Sequence, residues 1–418
     1  MCAQLNVLMV GGRRCGKTTV LARIYDHFNE VLRHESPGET NLLISSLEGS
    51  SIPHIDKAKN AISEIFTEHE YHQQFIVEDY YPTQDISEIK FRLNPINGRQ
   101  SLSVCFRDIP GEWCNGRSAD GEDTITAKGI DGKLCTKSPL EFVQDYLKVS
   151  NVVIIAIDTP AMMEEHGAFN NTINRIGPIK EAFRSIVDNG GNENITDKLI
   201  LFVPLKCEKY VVENDGSINN QHMIDVADRV KTSYQDLIAF FRDTPTLKEN
   251  ISAAIIPIVT IKEVLWSKFG CIWGEEENPS IYNDLGRPRI FPNHYNAKKL
   301  LFSYFSFRSQ RWHQEVNDKI RTDCQNGSVA GSKFCEQPLV YALVYSMNLY
   351  LYRQKNPAQQ DGGFWDTISR TLRNMLNSIA DLFSQNTDFR TAAQRLSATK
   401  MKRGNGFEII QDARRLLG

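Results

Sequence analysis

Apolar residues along this chain fall into short continuous runs separated by helical repeats. Leu5 to Val10 is one such run and ends in Gly-Gly, which predicts a buried strand. After Thr18 the apolar positions Val20, Leu21, Ile24 and Tyr25 recur at helical spacing, so the chain opens as strand, glycine loop, helix. Residues 34–53 are rich in Ser, Gly, Glu and Pro and read as a loop, and 54–69 read as a helix. Ile86 to Leu93 and Ser101 to Phe106 flank Asn94-Pro95-Ile96-Asn97-Gly98, a turn signal, and together predict a β-hairpin. Residues 113–137 hold many Gly, Asp, Lys and Thr with little periodicity and read as a mobile loop. Ser138-Pro139 opens a helix to about Lys148, with Ser at the cap and Pro in the first turn. Buried strands follow at Val152–Ile157, Leu199–Leu205 and Ile251–Ile261, separated by helices over 172–188 and 223–242.

Strands that are apolar on both faces and alternate with helices imply an α/β fold. We expect a mostly parallel, six-stranded sheet with helices on both faces and one antiparallel strand from the hairpin. Beyond residue 262 the pattern changes. Residues 264–300 show little regularity, while 336–354, 364–383 and 388–397 read as helices. The expected division is an α/β domain over 1–262, with inserts at 34–80 and 113–137, and a mainly helical region over 263–418. Gly362-Gly363 is the clearest linker.

Composition adds exclusions. Hydrophobic residues make up 41 % and charged residues 24 %, enough apolar material for a sizeable core. A net charge of −3 gives no basic field for nucleic acid. The nine cysteines form no CxxC pair, which argues against zinc and thioredoxin-like chemistry and suits a reducing compartment. The first residues lack the basic segment of a signal peptide, so a cytoplasmic location is expected.

The clearest chemistry is Gly11-Gly12-Arg13-Arg14-Cys15-Gly16-Lys17-Thr18, followed by Thr19, which fits GxxxxGK[ST]. Its glycines let backbone N–H groups turn toward a phosphate chain. Lys17 places a cation between the outer phosphates, and Thr18 offers a hydroxyl to Mg²⁺. Asp108-Ile109-Pro110-Gly111 follows the second hairpin strand. A carboxylate there can hold Mg²⁺, and Gly111 can turn its N–H toward the terminal phosphate.

On these elements residues 5–262 resemble the Ras-like, translation-factor-related (TRAFAC) P-loop GTPases, as a divergent member similar to large bacterial GTPase-domain proteins. The resemblance implies GTP or GDP with Mg²⁺ as ligands and slow hydrolysis as the activity. It also implies signalling through switch loops to a protein effector or activator. Thr83, just before the hairpin, would be the switch I threonine that meets Mg²⁺ and the terminal phosphate; Thr40 and Thr67 are rivals. The base-reading stretch of the family corresponds to Leu205-Lys206-Cys207-Glu208, with Lys206 along the base and Glu208 as its acceptor. Leu205 departs from the family's Asn. Glu112 stands where many small GTPases carry a water-positioning Gln, and Arg13 and Arg14 stand where small residues are usual. One of these arginines either reaches the phosphates or faces solvent. A P-loop ATPase or phosphotransferase, and a nucleotide-bound scaffold without turnover, are the competing readings. The apolar stripe of 364–383, from Phe364 to Phe383, fits packing on the sheet better than a membrane surface or partner, because its polar face carries few Lys and Arg.

Overall fold

The structure is a computed structural model. It describes residues 3–12, 15–17, 20, 21, 23, 24, 42–46, 86–95, 101–117, 121–164, 168–190, 197–211, 217–260, 269–271, 290–292, 333–355, 391, 394, 395, 397, 398 and 400–417. Arg13, Arg14, Thr18, Thr19, Thr40, Thr67 and Thr83 lie outside these residues, as do the expected helices over 54–69 and 364–383 and the Gly362-Gly363 linker.

All six expected strands form, but the last, expected over Ile251–Ile261, ends at Ile255. They are β1 (Ala3–Gly11), β3 (Ser87–Pro95), β4 (Leu102–Asp108), β7 (Val152–Asp158), β8 (Lys198–Leu205) and β9 (Ile251–Ile255). They lie in one sheet with two further edge strands, β2 (Leu42–Ser46) and β12 (Glu408–Gln411). Among the described residues the six-stranded expectation is therefore corrected to eight, in the order β12-β9-β8-β7-β1-β4-β3-β2. Strands β4, β1, β7, β8 and β9 run parallel. The hairpin strand β3 pairs antiparallel with β4, and β2 and β12 pair antiparallel at the two edges. Every residue of β4, β7, β8 and β9 is buried, as strands covered on both sides require.

The segment 113–137, expected as a mobile loop, instead carries a 3-10 turn (Trp113–Asn115) and a hairpin of β5 (Ile125–Lys128) and β6 (Leu134–Lys137). Its turn closes through Gly129 and Lys133 backbones and the Asp131 carboxylate, with Gly132 at φ 79°. The Tyr146 hydroxyl donates to Lys128 O at 2.8 Å and ties the hairpin down. Short strands with one polar face give no apolar run to read.

Helix α1 (Pro139–Val149) begins as its sequence demands. Ser138 Oγ accepts from Glu141 N while Glu141 accepts from Ser138 N, a reciprocal cap that satisfies two otherwise orphaned donors. The helix expected over 172–188 is two pieces, α2 (Ala168–Asn174) and α3 (Ile176–Gly190), broken at Arg175 with φ 55°. The one expected over 223–242 is also split, into α4 (Asn220–Ser233) and α5 (Gln235–Asp243), at Tyr234.

The expected boundary at 262 does not divide the apolar core. Helix α6 (Gln337–Lys355) packs against β8, and Phe407, Leu416 and Leu417 join the same cluster as Leu5 and Val10. The last described segment is clamped by Tyr341 Oη donating to Lys402 O and by Gln337 Nε2 donating to Lys400 O at 2.8 Å. Residues 269–271 and 290–292, where little regularity was expected, pair as a separate two-stranded sheet of β10 (Phe269–Cys271) and β11 (Ile290–Pro292). Among the described residues no helix is long and apolar enough to cross a membrane.

Candidate functional site

The glycine loop leaves the carboxyl end of β1 at the centre of the sheet, with β4 on one side and β7 on the other. Chain order reverses about β1, and parallel α/β sheets gather ligand-binding loops at such a point. Gly11 has φ 149°, and a Cβ there would lie 2.5 Å from Ala156 O on β7. A Cβ on Gly12 would lie 1.8 Å from Ile173 O on α2. Neighbouring backbone thus enforces both glycines, a constraint separate from the phosphate-wrapping role expected of them. Gly16, at φ 104°, turns the chain into a helix, and Val20 N donates back to Gly16 O at 3.0 Å.

Lys17 is almost fully buried, yet its ammonium stays charged. Its Nζ donates to Gly11 O at 3.3 Å and Gly12 O at 3.1 Å, and lies 4.0 Å from Asp108 Oδ1. Burial pushes its pKa down, but attraction to the acidic groups around it, Cys15, Asp108, Cys114 and Glu112, outweighs burial and holds it above the usual lysine value. Burial also raises the Cys15 thiol, so at neutral pH the pull on Lys17 comes from the carboxylates. Asp108 is fully buried as the last residue of β4, in register with Met9 of β1. Ile109, Pro110 and Gly111 continue inward, and Glu112 caps the turn Trp113–Asn115. Burial lifts the Cys114 thiol in that turn to about 11.

The structure therefore brings Lys17, Asp108, Gly111 and Glu112 to one end of the sheet. It also places Lys206 there, in an unexpected role. Lys206 adopts φ 58°, and its Nζ lies 2.5 Å from Asp158 Oδ2. Asp158 is the last residue of β7 and is fully buried. Its Oδ1 accepts from Ala161 N at 3.0 Å, its N donates to Asn174 Oδ1 at 2.7 Å and its carbonyl accepts from Asn174 Nδ2 at 3.2 Å. The ammonium expected along a base is thus engaged by a carboxylate on the neighbouring strand. Glu208 begins the helical turn Glu208–Val211. Beside it the Cys207 thiol donates to Pro204 O at 3.2 Å.

Sequence reasoning missed Asp158, Asn174 and Arg175. The signal for Asp158 was present: an acid ends one buried strand and Lys206 follows the end of the next, with Asp158 opposite Leu205 in register. Nothing in the sequence pattern marks Asn174 or Arg175.

Chemically the site is a buried ammonium just past the glycine loop that follows β1 and a buried carboxylate at the end of the adjacent parallel strand β4. That donor set fits an anionic ligand and a hard divalent cation, which needs one or two protein oxygens and takes the rest from phosphate and water. Among the described residues no group of three or more His, Cys, Asp or Glu is placed to hold a metal by itself. No protein-family model matches the chain, and no curated protein matches it.

Proposed function

We propose that this chain is a P-loop nucleotide switch of Ras-like type that binds GTP with Mg²⁺ and hydrolyses it slowly. One observation carries the reading: the loop of GxxxxGK[ST] pattern leaves the central parallel strand with Lys17 Nζ 4.0 Å from Asp108, at the carboxyl end of the adjacent strand. Lys17 would set its charge against the outer phosphates, and loop N–H groups would take the bridging oxygens. Asp108 and Thr18 would hold Mg²⁺, which supplies charge neutralisation at the phosphates when bound. Gly111, three residues past Asp108, would sense the terminal phosphate through its backbone, so that loss of that phosphate releases the segment toward a protein effector.

Glu112 sets the rate in this scheme. Its carboxylate is repelled by the terminal phosphate and cannot donate to it, so unaided turnover is expected on the order of 10⁻² s⁻¹ or below. Lys17→Ala leaves the backbone loop and removes the cation. Calorimetry with GTP and Mg²⁺ should show binding weakened at least tenfold, about 1.4 kcal/mol. Equal affinity in both proteins would end the P-loop reading.

The Lys206–Asp158 pair favours a second reading. With that ammonium engaged by a carboxylate and Leu205 in place of an amide side chain, guanine selectivity has fewer supports, and an ATPase or phosphotransferase becomes the alternative. Competition between ATP and GTP decides: preference for ATP moves the protein to that class.

A further inference from the structure

We propose that Arg175 is the second phosphate-binding cation of this site, reaching the terminal phosphate of the nucleotide from outside the glycine loop. The inference rests on the nucleotide-binding reading above and extends it to a residue that no sequence motif marks.

Three consecutive residues fix the place. Ile173 presses its carbonyl against Gly12, closely enough that no side chain fits between them. Asn174 is locked to Asp158 by paired hydrogen bonds, and its Nδ2 also donates to Asn170 Oδ1 at 2.7 Å. Arg175 comes next and breaks the helix at φ 55°, a conformation that L side chains rarely adopt. Its backbone is satisfied on both sides, with Arg175 N donating to Asn171 O and Ile179 N donating to Arg175 O, each at 3.0 Å. A missing hydrogen bond therefore does not explain the break.

The side chain supplies the reason. Arg175 Nε is buried and, among the described residues, has no hydrogen-bond partner. A buried N–H of a guanidinium is costly to leave unmade, and such groups persist where a ligand completes them. The helix that follows it packs against the Trp113–Asn115 turn, which Glu112 precedes. The Cys114 thiol in that turn is pushed up by burial and pulled back by Lys17 and then by Arg175, so the two cations act on the same small region. A planar fork of N–H donors suits phosphate oxygens, and unlike Lys it keeps its charge at any working pH. Arg13 and Arg14 are the arginines the sequence offers for this task; Arg175 is the one that directly follows Ile173, packed on Gly12, and Asn174, bonded to Asp158.

The test uses the full chain with GDP and a GTP analogue carrying nitrogen between the β- and γ-phosphates, each with Mg²⁺, by calorimetry. Arg175→Gly removes the charge and also suits φ 55°, so its melting temperature should equal or exceed that of wild type. It should bind GDP as wild type does and lose about tenfold affinity for the analogue. Arg175→Lys should recover part of that loss, and single-turnover GTP hydrolysis should slow on the order of 10³-fold in the glycine variant. An unchanged ratio of analogue to GDP affinity would overturn the proposal, and so would equal loss of both nucleotides, which marks a structural role. Wild type binding neither nucleotide would remove the nucleotide reading itself, and this inference with it.

Discussion

The two ends of the same parallel strands bury charge in different settings. At the amino end Lys198 opens β8, and its Nζ donates to Lys148 O at 3.0 Å and Ser150 O at 2.8 Å. Beside it Asp197 pairs with Arg414 at 2.6 Å, which fastens the last described residues to the sheet. Asn151 links β1, β7 and β8 through Asn6 and Leu199. These partners are mostly backbone, and the arrangement is closed. At the carboxyl end Lys17, Asp108, Asp158 and Lys206 lie around the glycine loop and the ends of β4, β7 and β8, and helix α2 presses on the loop from outside. Buried charge alone therefore does not mark a site. Its position on the sheet does, because the carboxyl ends of parallel strands hold the crossing loops that can open toward a ligand.

The comparison is sharpest at Lys198. Burial lowers its pKa from 10.5 to about 7, against a smaller raising effect of Asp197. The unfolded chain then binds more protons than the folded one between about pH 7 and 10.5. Stability should rise with pH through that window and carry the full penalty of a buried ammonium below it. Lys198→Met removes the penalty along with two hydrogen bonds. Its stability relative to wild type should be greatest near pH 6 and fall steadily toward pH 10, an effect of several kcal/mol in urea unfolding. Nucleotide affinity should not change. Parallel stability curves for the two proteins would show that Lys198 keeps its ordinary pKa when folded, as a hydrated ammonium does.

What was legible follows from the same physics. Strands such as β7 were readable because burial on both faces leaves uninterrupted apolar runs, as in Val152–Ile157, and β3 because buried Ile89, Phe91 and Leu93 alternate with less buried residues before a turn signal. The start of α1 was readable because Ser138, Pro139 and Glu141 act locally. Edge strand β12 was not: its four residues are each half-buried, and their partner on β9 lies about 150 positions away in the chain. The break at Arg175 was invisible because a left-handed arginine is imposed by tertiary contacts and has no local signature. The glycine loop and Asp108 were legible as a motif, whereas the Lys206–Asp158 pair required knowing that β7 and β8 are neighbours in register.

At the carboxyl end the largest expected loss comes from Gly12→Ala. The added Cβ would meet Ile173 O at 1.8 Å, and the obstacle is backbone, so either the loop or α2 must move. The cost should be about 3 kcal/mol, as for an overpacked core position. Because α2 carries Asn174 and leads to Arg175, nucleotide affinity should fall together with stability. Destabilisation without any change in binding would separate the loop's packing from its chemistry and weaken the contrast between the two ends.

The smallest effect is expected at Asn151, and it tests the closed character of the amino end. Asn151 Oδ1 accepts from Asn6 N at 3.2 Å, while its own backbone exchanges bonds with Asn6 O and Leu199 N at 3.0 Å. Asn151→Ala keeps both backbone bonds and removes only the side-chain acceptor, so a buried N–H on β1 loses one partner. The expected cost is about 1 kcal/mol by urea unfolding. Since β1 continues from Asn6 into the glycine loop, any slackening of its amino end would propagate along the strand if the two ends were mechanically coupled. The sheet predicts otherwise: β1 is held on both sides, by β4 over seven residues from Ala3 to Met9 and by β7 over five from Val7 to Gly11. Nucleotide affinity in Asn151→Ala should therefore match wild type within experimental scatter. A loss of affinity as large as that of Lys17→Ala would mean that the polar groups at the amino end tune the site through the strand, and that the division between structural and functional charge drawn from their positions is wrong.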